Sequence, residues 1–484
     1  MRLPRRPQLA VAFFAGLWLP FTSFLRGENA STHALSYIWT GVETARDNGH
    51  RLTIVTSPTA ATPSPEAAAD LICRPETRYQ TIEGFGGAMT ESSAYVLAQL
   101  PAPARAAILK AYFDPASGLG YTLCRTHINS CDFSLSSWSL DDTAGDVALA
   151  HFDWTPMRKW LMPALHQAYD ASGAKLRFLA SPWSPPAWMK TNGEMSHGGE
   201  LKSEDREAWA AFIAKFITAM DRDEHLPISF LTVQNEPAAS QVWESCLYSG
   251  EQERDFVRDH LGPALAKAGL ADVHLLTWDH NRDLLWDRAS TVLKDPAAAK
   301  YVWGTAIHWY AADHFDQEDQ VHAAFPDKHL LFTEGCWEAG AKPGQWDRGE
   351  RYAHNLIGDL SHWVTGWIDW NLVLDLKGGP NHVGNLCDAP ILADAATGNI
   401  LYQTSFYYLG HFSKYVHPGA VRIGLTSTVK NAETIAFQNP DGSIAVIISN
   451  PGDGPLEVSL ALARDRVALH VPKHAIQTWI ARAP

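Results

Sequence analysis

The sequence predicts an α/β protein, a (β/α)8 barrel with an additional β-sandwich domain built from N- and C-terminal segments. Three observations lead there. From Gln80 onward eight short apolar runs recur, each followed by a helical stretch, and strands that alternate with helices imply parallel pairing. From about Gly410 the helical stretches stop, and short runs separated by turns take over. Strand-like segments also precede the barrel, ahead of an Ala/Pro-rich loop.

The 484 residues exceed one ordinary core and suit a large barrel with an addition. A hydrophobic fraction of 46% and a charged fraction of 19% are those of a globular enzyme rather than a disordered or fibrous chain. The net charge of −14 leaves no basic surface to neutralise phosphates, which excludes nucleic acid as a partner. Nineteen tryptophans is a high count. Indole is an apolar face with one N–H, suited to stacking on sugar rings as well as to filling cores.

Met1-Arg2-Leu3-Pro4-Arg5-Arg6 opens the chain. An apolar run from Leu9 to Leu25, broken by Pro20, and a polar Ser/Thr/Asn stretch follow. Basic start, apolar middle and polar end have the form of an export signal over residues 1–30. The expected location is therefore secreted or periplasmic, or lysosomal if the source is animal; an N-terminal membrane anchor is the alternative. Residues 31–79 then supply sandwich strands, at Ala34–Asp47 and His50–Ser57, with Pro58–Ala69 as a loop. Six scattered cysteines without a C-x-x-C pair argue for buried free thiols rather than a zinc site or a disulfide framework.

The barrel is expected over residues 80–409. Its strands are Thr81–Gly86, Tyr121–Arg125, Leu176–Ser181, Ile228–Glu236, Val273–Asp279, Val302–His308, Leu330–Glu334 and Trp367–Trp370. Eight units over roughly 300 residues match such a barrel with insertions, its typical length being about 250. The sandwich resumes over 410–484 with six short runs from Val421–Leu425 to Ile476–Ile480, and Asn439-Pro440-Asp441-Gly442 has hairpin turn chemistry.

Function gathers at the carboxyl ends of barrel strands. In Phe230-Leu231-Thr232-Val233-Gln234-Asn235-Glu236-Pro237 a strand runs into a carboxylate beside an amide, and the proline, with no N–H, stops the ladder. A second carboxylate ends Leu330-Leu331-Phe332-Thr333-Glu334. The two lie 98 positions apart, about three units of roughly 31 residues each, which assigns Glu236 to strand 4 and Glu334 to strand 7. Two carboxylates across one mouth are the equipment of a glycosidase: about 5–5.5 Å apart they retain configuration, and about 6.5–9.5 Å apart they invert it. Tyr310 after strand 6 is placed to donate to Glu334 and keep it ionised. Glu236 needs a raised pKa to arrive protonated.

At these residues the sequence resembles the acid β-glucosidase or glucosylceramidase group of glycoside hydrolase family 30, whose clan carries its catalytic glutamates on strands 4 and 7. The resemblance covers about four-fifths of the chain. It rests on Gly84-Phe85-Gly86-Gly87-Ala88-Met89-Thr90, Ser130-Cys131-Asp132-Phe133-Ser134, the long run Ala180 to Gly193, Asn235-Glu236-Pro237, His308-Trp309-Tyr310, Asp369-Trp370-Asn371-Leu372 and Gly378-Gly379-Pro380-Asn381. It implies a TIM barrel joined to a β-sandwich, with Glu236 as acid/base and Glu334 as nucleophile. It places Asp132, Trp183, Asn235 and Trp370 around the glucosyl hydroxyls and Asn385 at the pocket mouth, with Arg125, His308 and Tyr310 tuning the nucleophile. No cofactor and no metal is implied.

Two positions depart from the family pattern: Gln234 stands where an acidic residue is usual, and Gly335 replaces Ala after the nucleophile. No counterpart of the animal enzymes' disulfide-bearing N-terminal extension is seen, which points to a bacterial relative. The expected reaction is hydrolysis of glucosylceramide to glucose and ceramide by double displacement, with transient contact with a membrane surface or lipid micelles. The same carboxylates serve a β-xylosidase or an endo-β-1,6-glucanase, and loops Ser240–Tyr248 and Glu338–Asp347 decide between lipid and sugar. Trp243, Leu247, Trp337 and Trp346 are candidates for an apolar lip. A non-catalytic carbohydrate-binding barrel is the reading from another class.

Overall fold

A computed structural model describes residues 36–55, 58–60 and 69–484. The export segment expected at 1–30, and residues 61–68 of the predicted loop, lie outside the described residues.

Eight parallel strands close into a barrel: Gly84–Ala88, Leu123–Ile128, Arg177–Pro182, Ile228–Thr232, His274–Asn281, Val302–His308, His329–Glu334 and Val364–Asn371, here strands 1 to 8. Strand 8 closes onto strand 1 through Gly366↔Gly84 and Trp367↔Phe85. Each predicted run overlaps one strand. The interior is filled by Leu123, Leu179, Phe230, Leu276, Ala306, Leu331 and Ile368, one from each of strands 2 to 8. Strand 1 adds none there, because a Cβ at Gly86 would stand 1.9 Å from the carbonyl oxygen of Leu123. The glycine run is thus a packing requirement.

Two expected strands end elsewhere. Leu71–Thr81 is an eleven-residue strand of the other sheet, and strand 1 begins only at Gly84, at a φ of +143° that glycine tolerates. Strand 4 stops at Thr232, four residues short of Glu236. The boundaries expected at 79/80 and 409/410 each fall inside a continuous element, the first in Leu71–Thr81 and the second in the helix Thr404–Ser413.

Among the described residues ten strands form the second sheet, in the order Thr53–Val55, Ile38–Ala45, Ala475–Arg482, Ile444–Asn450, Glu433–Gln438, Val421–Ser427, Leu71–Thr81, Leu456–Leu462, Asp465–Val471 and Thr59–Ala60. N- and C-terminal segments therefore share one structure. Ile38–Ala45 and Asp465–Val471 are seven places apart in that order, roughly 34 Å if the sheet were flat. Yet Trp39 Nε1 donates to Asp465 at 3.2 Å, so the sheet folds over on itself as a sandwich. Trp39, Ile423, Val446, Leu460, Val467 and Trp479 fill the space between its layers.

His411, on the helix Thr404–Ser413, joins barrel to sandwich. Thr478 Oγ1 gives its proton to the His411 carbonyl. The ring's Nδ1 must therefore donate to that hydroxyl at 2.9 Å, leaving Nε2, 3.0 Å from Thr44 Oγ1, to accept. The imidazole is held neutral, and burial pushes its pKa down to about 3.

Candidate active site

Beyond Thr232 the backbone leaves the regular ladder but stays pinned. Val233 N–H donates to Leu276 O at 3.0 Å, Asn235 N–H to Pro182 O at 2.8 Å and Glu236 N–H to Asp279 O at 3.0 Å. Pro237, with no N–H, ends the series. Glu236 has a left-handed φ of +46°, and facing it on strand 5 Trp278 and Asp279 have +72° and +53°. Such conformations cost about 1–3 kcal/mol each in a non-glycine residue and persist only where the surroundings dictate them. Here they turn the Glu236 carboxylate into the barrel mouth.

One cavity of about 210 Å³ opens at that mouth. Glu236, Glu334, Asp132, Trp183, Asn235, Tyr310, Trp370 and Asn385, drawn from six loops and strand ends, all line it. Trp183 and Trp370 stack at 5.3 Å between ring centroids. Asn385 Nδ2 donates to Asp132 Oδ2 at 2.9 Å. Asn235 Oδ1 is taken by Arg125 at 2.9 Å, which leaves its NH2 as the free donor. Arg125 and His308 are fully buried and stand behind the lining rather than in it.

Arg125 ties the site together. Its guanidinium donates to Ser181 Oγ at 3.1 Å, Glu334 Oε2 at 2.5 Å, Asn235 Oδ1 at 2.9 Å and Asp279 Oδ2 at 2.8 Å. It lies 4.8 Å from the Trp183 ring centroid and 5.5 Å from that of Trp370. Asp279 Oδ1 receives Thr333 Oγ1 at 2.6 Å and pairs with His308 Nε2 at 3.0 Å. His308 Nδ1 reaches Glu236 Oε1 at 3.3 Å. Tyr310 O–H donates to Glu334 Oε1 at 2.9 Å. Glu236, His308 and Glu334 bring one polar atom each within 4.8 Å of one another. That spacing would also admit a cation. However, both nitrogens of His308 and both oxygens of Glu334 are already engaged by protein partners.

Burial alone would push the His308 imidazole down, but the charge of Glu334 and the hydrogen bonds to Asp279 and Glu236 raise it to about 9. Burial pushes Glu334 up against the pull of His308 and Arg125. Both its oxygens nonetheless accept from donors, the arrangement of a carboxylate. At Glu236 burial also pushes upward, but the His308 hydrogen bond and the charges of His280 and His308 prevail, and the group lies below its ordinary value. The expectation of a raised Glu236 is therefore not met. His308, with its raised pKa, stands one hydrogen bond from Glu236.

Residues 82–416 match the glycosyl hydrolase family 30 TIM-barrel domain, and residues 419–479 match that family's beta sandwich domain. The chain belongs to glycosyl hydrolase family 30. It is a glycoside hydrolase. Mouse lysosomal acid glucosylceramidase is 38% identical over 409 residues, 80% of this chain and 79% of that protein. An endo-1,6-beta-D-glucanase of Neurospora crassa is 30% identical over 425 residues, 84% of this chain and 86% of the glucanase. The crystal structure of SrfJ from Salmonella typhimurium superposes with a TM-score of 0.88 at 34% identity, covering 92% of this chain and all of SrfJ.

The two departures from the family 30 pattern now have a local account. Gln234 Nε2 donates to Trp183 O at 2.7 Å and Asn235 O at 2.9 Å. The site needs a donor toward two carbonyls, which an amide supplies without a proton to lose. Gly335 leaves room for Trp309, whose ring would stand 2.8 Å from an added Cβ. Of the four residues expected at the lip, Trp243 lines the cavity and the other three do not. Trp346 instead packs under Arg51 at 4.6 Å and donates to Tyr408 Oη at 3.1 Å. Asp279 was legible as the end of strand 5, but its part as the shared partner of Arg125 and His308 depends on contacts across the barrel.

Proposed function

We propose that this family 30 hydrolase is a retaining β-glucosidase that acts outside the cytoplasm and splits glucosylceramide into glucose and ceramide by double displacement. The observation that carries the reading is the carboxylate pair, with an oxygen of Glu236 and an oxygen of Glu334 within 4.8 Å. That spacing fits the roughly 5–5.5 Å between carboxyl groups of retaining enzymes and leaves too little space for the water an inverting enzyme places between them.

Glu334, on strand 7, attacks the anomeric carbon and forms the glycosyl-enzyme. Glu236 gives a proton to the leaving oxygen, then takes one from the water that releases the sugar. The proton reaches Glu236 from His308 along their hydrogen bond, when the leaving oxygen offers a better acceptor than the imidazole. Arg125 and Tyr310 fix the attacking carboxylate. Asp132, Asn235 and Asn385 supply hydroxyl partners, and the stacked Trp183 and Trp370 give the ring an apolar face.

The lipid side rests on the mouth. Val242, 63% exposed, sits between the lining residues Gln241 and Trp243, and Leu386, 39% exposed, between Asn385 and Cys387. Large apolar side chains held in water beside a pocket favour an apolar aglycone presented from a lipid surface. The cavity of about 210 Å³ is smaller than the about 300–1,000 Å³ of drug-sized sites and takes one ring rather than a polymer.

A glucan reading keeps support from the Neurospora relative and from the polar lining groups Gln241, Asn281 and Glu338. Side-by-side hydrolysis of glucosylceramide, aryl β-glucoside, aryl β-xyloside and a β-1,6-glucan separates these. Glucosylceramide should have the highest kcat/KM; preference for the glucan overturns the substrate assignment and leaves the carboxylate chemistry intact.

A further inference from the structure

Two thiols that the proposed hydrolysis does not use face the catalytic cavity. Cys336 and Cys387 both line it and are nearly buried, at 5% and 2% exposure. They share one apolar cluster with Trp183 and Trp370, and they sit on two adjoining segments of the cavity wall. The segments that carry them are lashed together. Glu338 bridges Cys387, Asp388 N–H donates to Trp337 O at 2.7 Å and Gly340 N–H donates to Leu386 O at 2.8 Å.

The pair is wired to the nucleophile. Cys336 Sγ lies 3.5 Å from Tyr310 Oη, and Tyr310 gives its one proton to Glu334 Oε1 at 2.9 Å. A phenol has a single O–H, so the Cys336 S–H must be the donor toward the Tyr310 oxygen. The loop of Cys387 also carries Asn385, whose amide holds Asp132 at 2.9 Å.

We propose that Cys336 and Cys387 are a redox pair on the pocket wall, which a small peroxide oxidises to a disulfide that lowers hydrolytic activity reversibly. One sulfur attacks a peroxide oxygen, forming a sulfenic acid with loss of water. The second sulfur displaces the sulfenic oxygen as another water and forms the S–S bond. Two thiols and one hydrogen peroxide thus give one disulfide and two waters. The product has an S–S length of about 2.05 Å, well inside thiol–thiol contact distance. It therefore draws the Cys387 loop inward and removes the S–H that faces Tyr310. A shift of about 1 Å near reacting groups costs up to about 100-fold in rate. Burial holds the Cys336 thiol well above its ordinary pKa, which slows its attack on peroxide because the thiolate is the reacting form.

The test treats the reduced full chain with hydrogen peroxide, maps its thiols by non-reducing peptide mass spectrometry and assays an aryl β-glucoside. A Cys336–Cys387 linked peptide is expected, with a fall of about tenfold in kcat/KM that dithiothreitol reverses. The Cys387→Ala variant, compared with its own untreated rate, should lose the reversible response. Alkylation of both thiols after oxidation overturns the proposal, as does sulfinic acid without a link, or a link that leaves the rate unchanged. The mass map reads the bond without any substrate, so a failure of the glucosylceramide reading is not confused with a failure of this one.

Discussion

Arg125 Nη1 and Glu334 Oε2 meet at 2.5 Å at the barrel mouth, and from that contact a hydrogen-bonded chain returns to the other glutamate. It runs from Arg125 to Asp279 at 2.8 Å, on to His308 at 3.0 Å and then to Glu236 at 3.3 Å. The two cations lie between three carboxylates, so neither glutamate changes charge without the other responding. Replacing Glu334 by Gly should lower aryl β-glucoside hydrolysis about 10⁴-fold or more, and azide should restore turnover by taking the carboxylate's place. Rates within a few-fold of the parent would refute the assignment of Glu334 as nucleophile.

His308 is expected to set the alkaline side of the pH profile. With its pKa raised to about 9, the proton it shares with Glu236 stays in the site up to that region. His308→Asn removes the imidazolium and leaves Glu236 to hold the proton by burial alone, which a carboxyl does less strongly. The alkaline limb of kcat/KM should move to lower pH. A limb that stays in place would show that the proton is held elsewhere.

The mouth residues should separate lipid from soluble substrates. Exchanging Val242 and Leu386 for serine removes apolar surface without touching the carboxylates. Hydrolysis of glucosylceramide in vesicles should fall about 100-fold or more, as expected if burial of these side chains in lipid contributes roughly 1.5–3 kcal/mol each. The rate on a soluble aryl β-glucoside should hold within about twofold, since a soluble aglycone gains little from apolar mouth residues. An equal fall on both substrates would argue against a lipid-facing mouth.

His411 links stability to pH through the joint between barrel and sandwich. Its folded pKa of about 3 lies below the ordinary histidine value, so the unfolded chain binds the extra proton in the interval between them. Stability from this group is therefore complete above about pH 6.5 and declines as pH falls toward 3, by roughly 3 kcal/mol between pH 6.5 and 4. The melting temperature of His411→Asn should be lower than the parent's at pH 7 and should depend less on pH below 6. A parallel pH dependence in both proteins would exclude His411 as a cause.

The barrel was legible because its apolar runs and helical spacings are local features, and all eight strands lie where those runs are. The carboxylate pair was legible for the same reason, since strand count alone gives Glu236 and Glu334 their addresses. What escaped depends on partners distant in sequence. Leu71–Thr81, exposed at six of its eleven positions, has no apolar run to mark it and belongs to the sandwich through pairing with Val421–Ser427 and Leu456–Leu462. Asp279 and the Cys336–Cys387 pair acquire their surroundings across the barrel mouth. The direction of the Glu236 shift is set by the hydrogen bond from His308, 72 positions away in sequence.

The stereochemistry of the first product tests the central claim most directly. Proton NMR during hydrolysis of an aryl β-glucoside, begun before mutarotation, should show β-glucose forming first and the α-anomer growing in only afterward. That order requires two displacements at the anomeric carbon, the second on a glycosyl-enzyme. Initial release of α-glucose would mean a single displacement by water and would contradict the role given to Glu334.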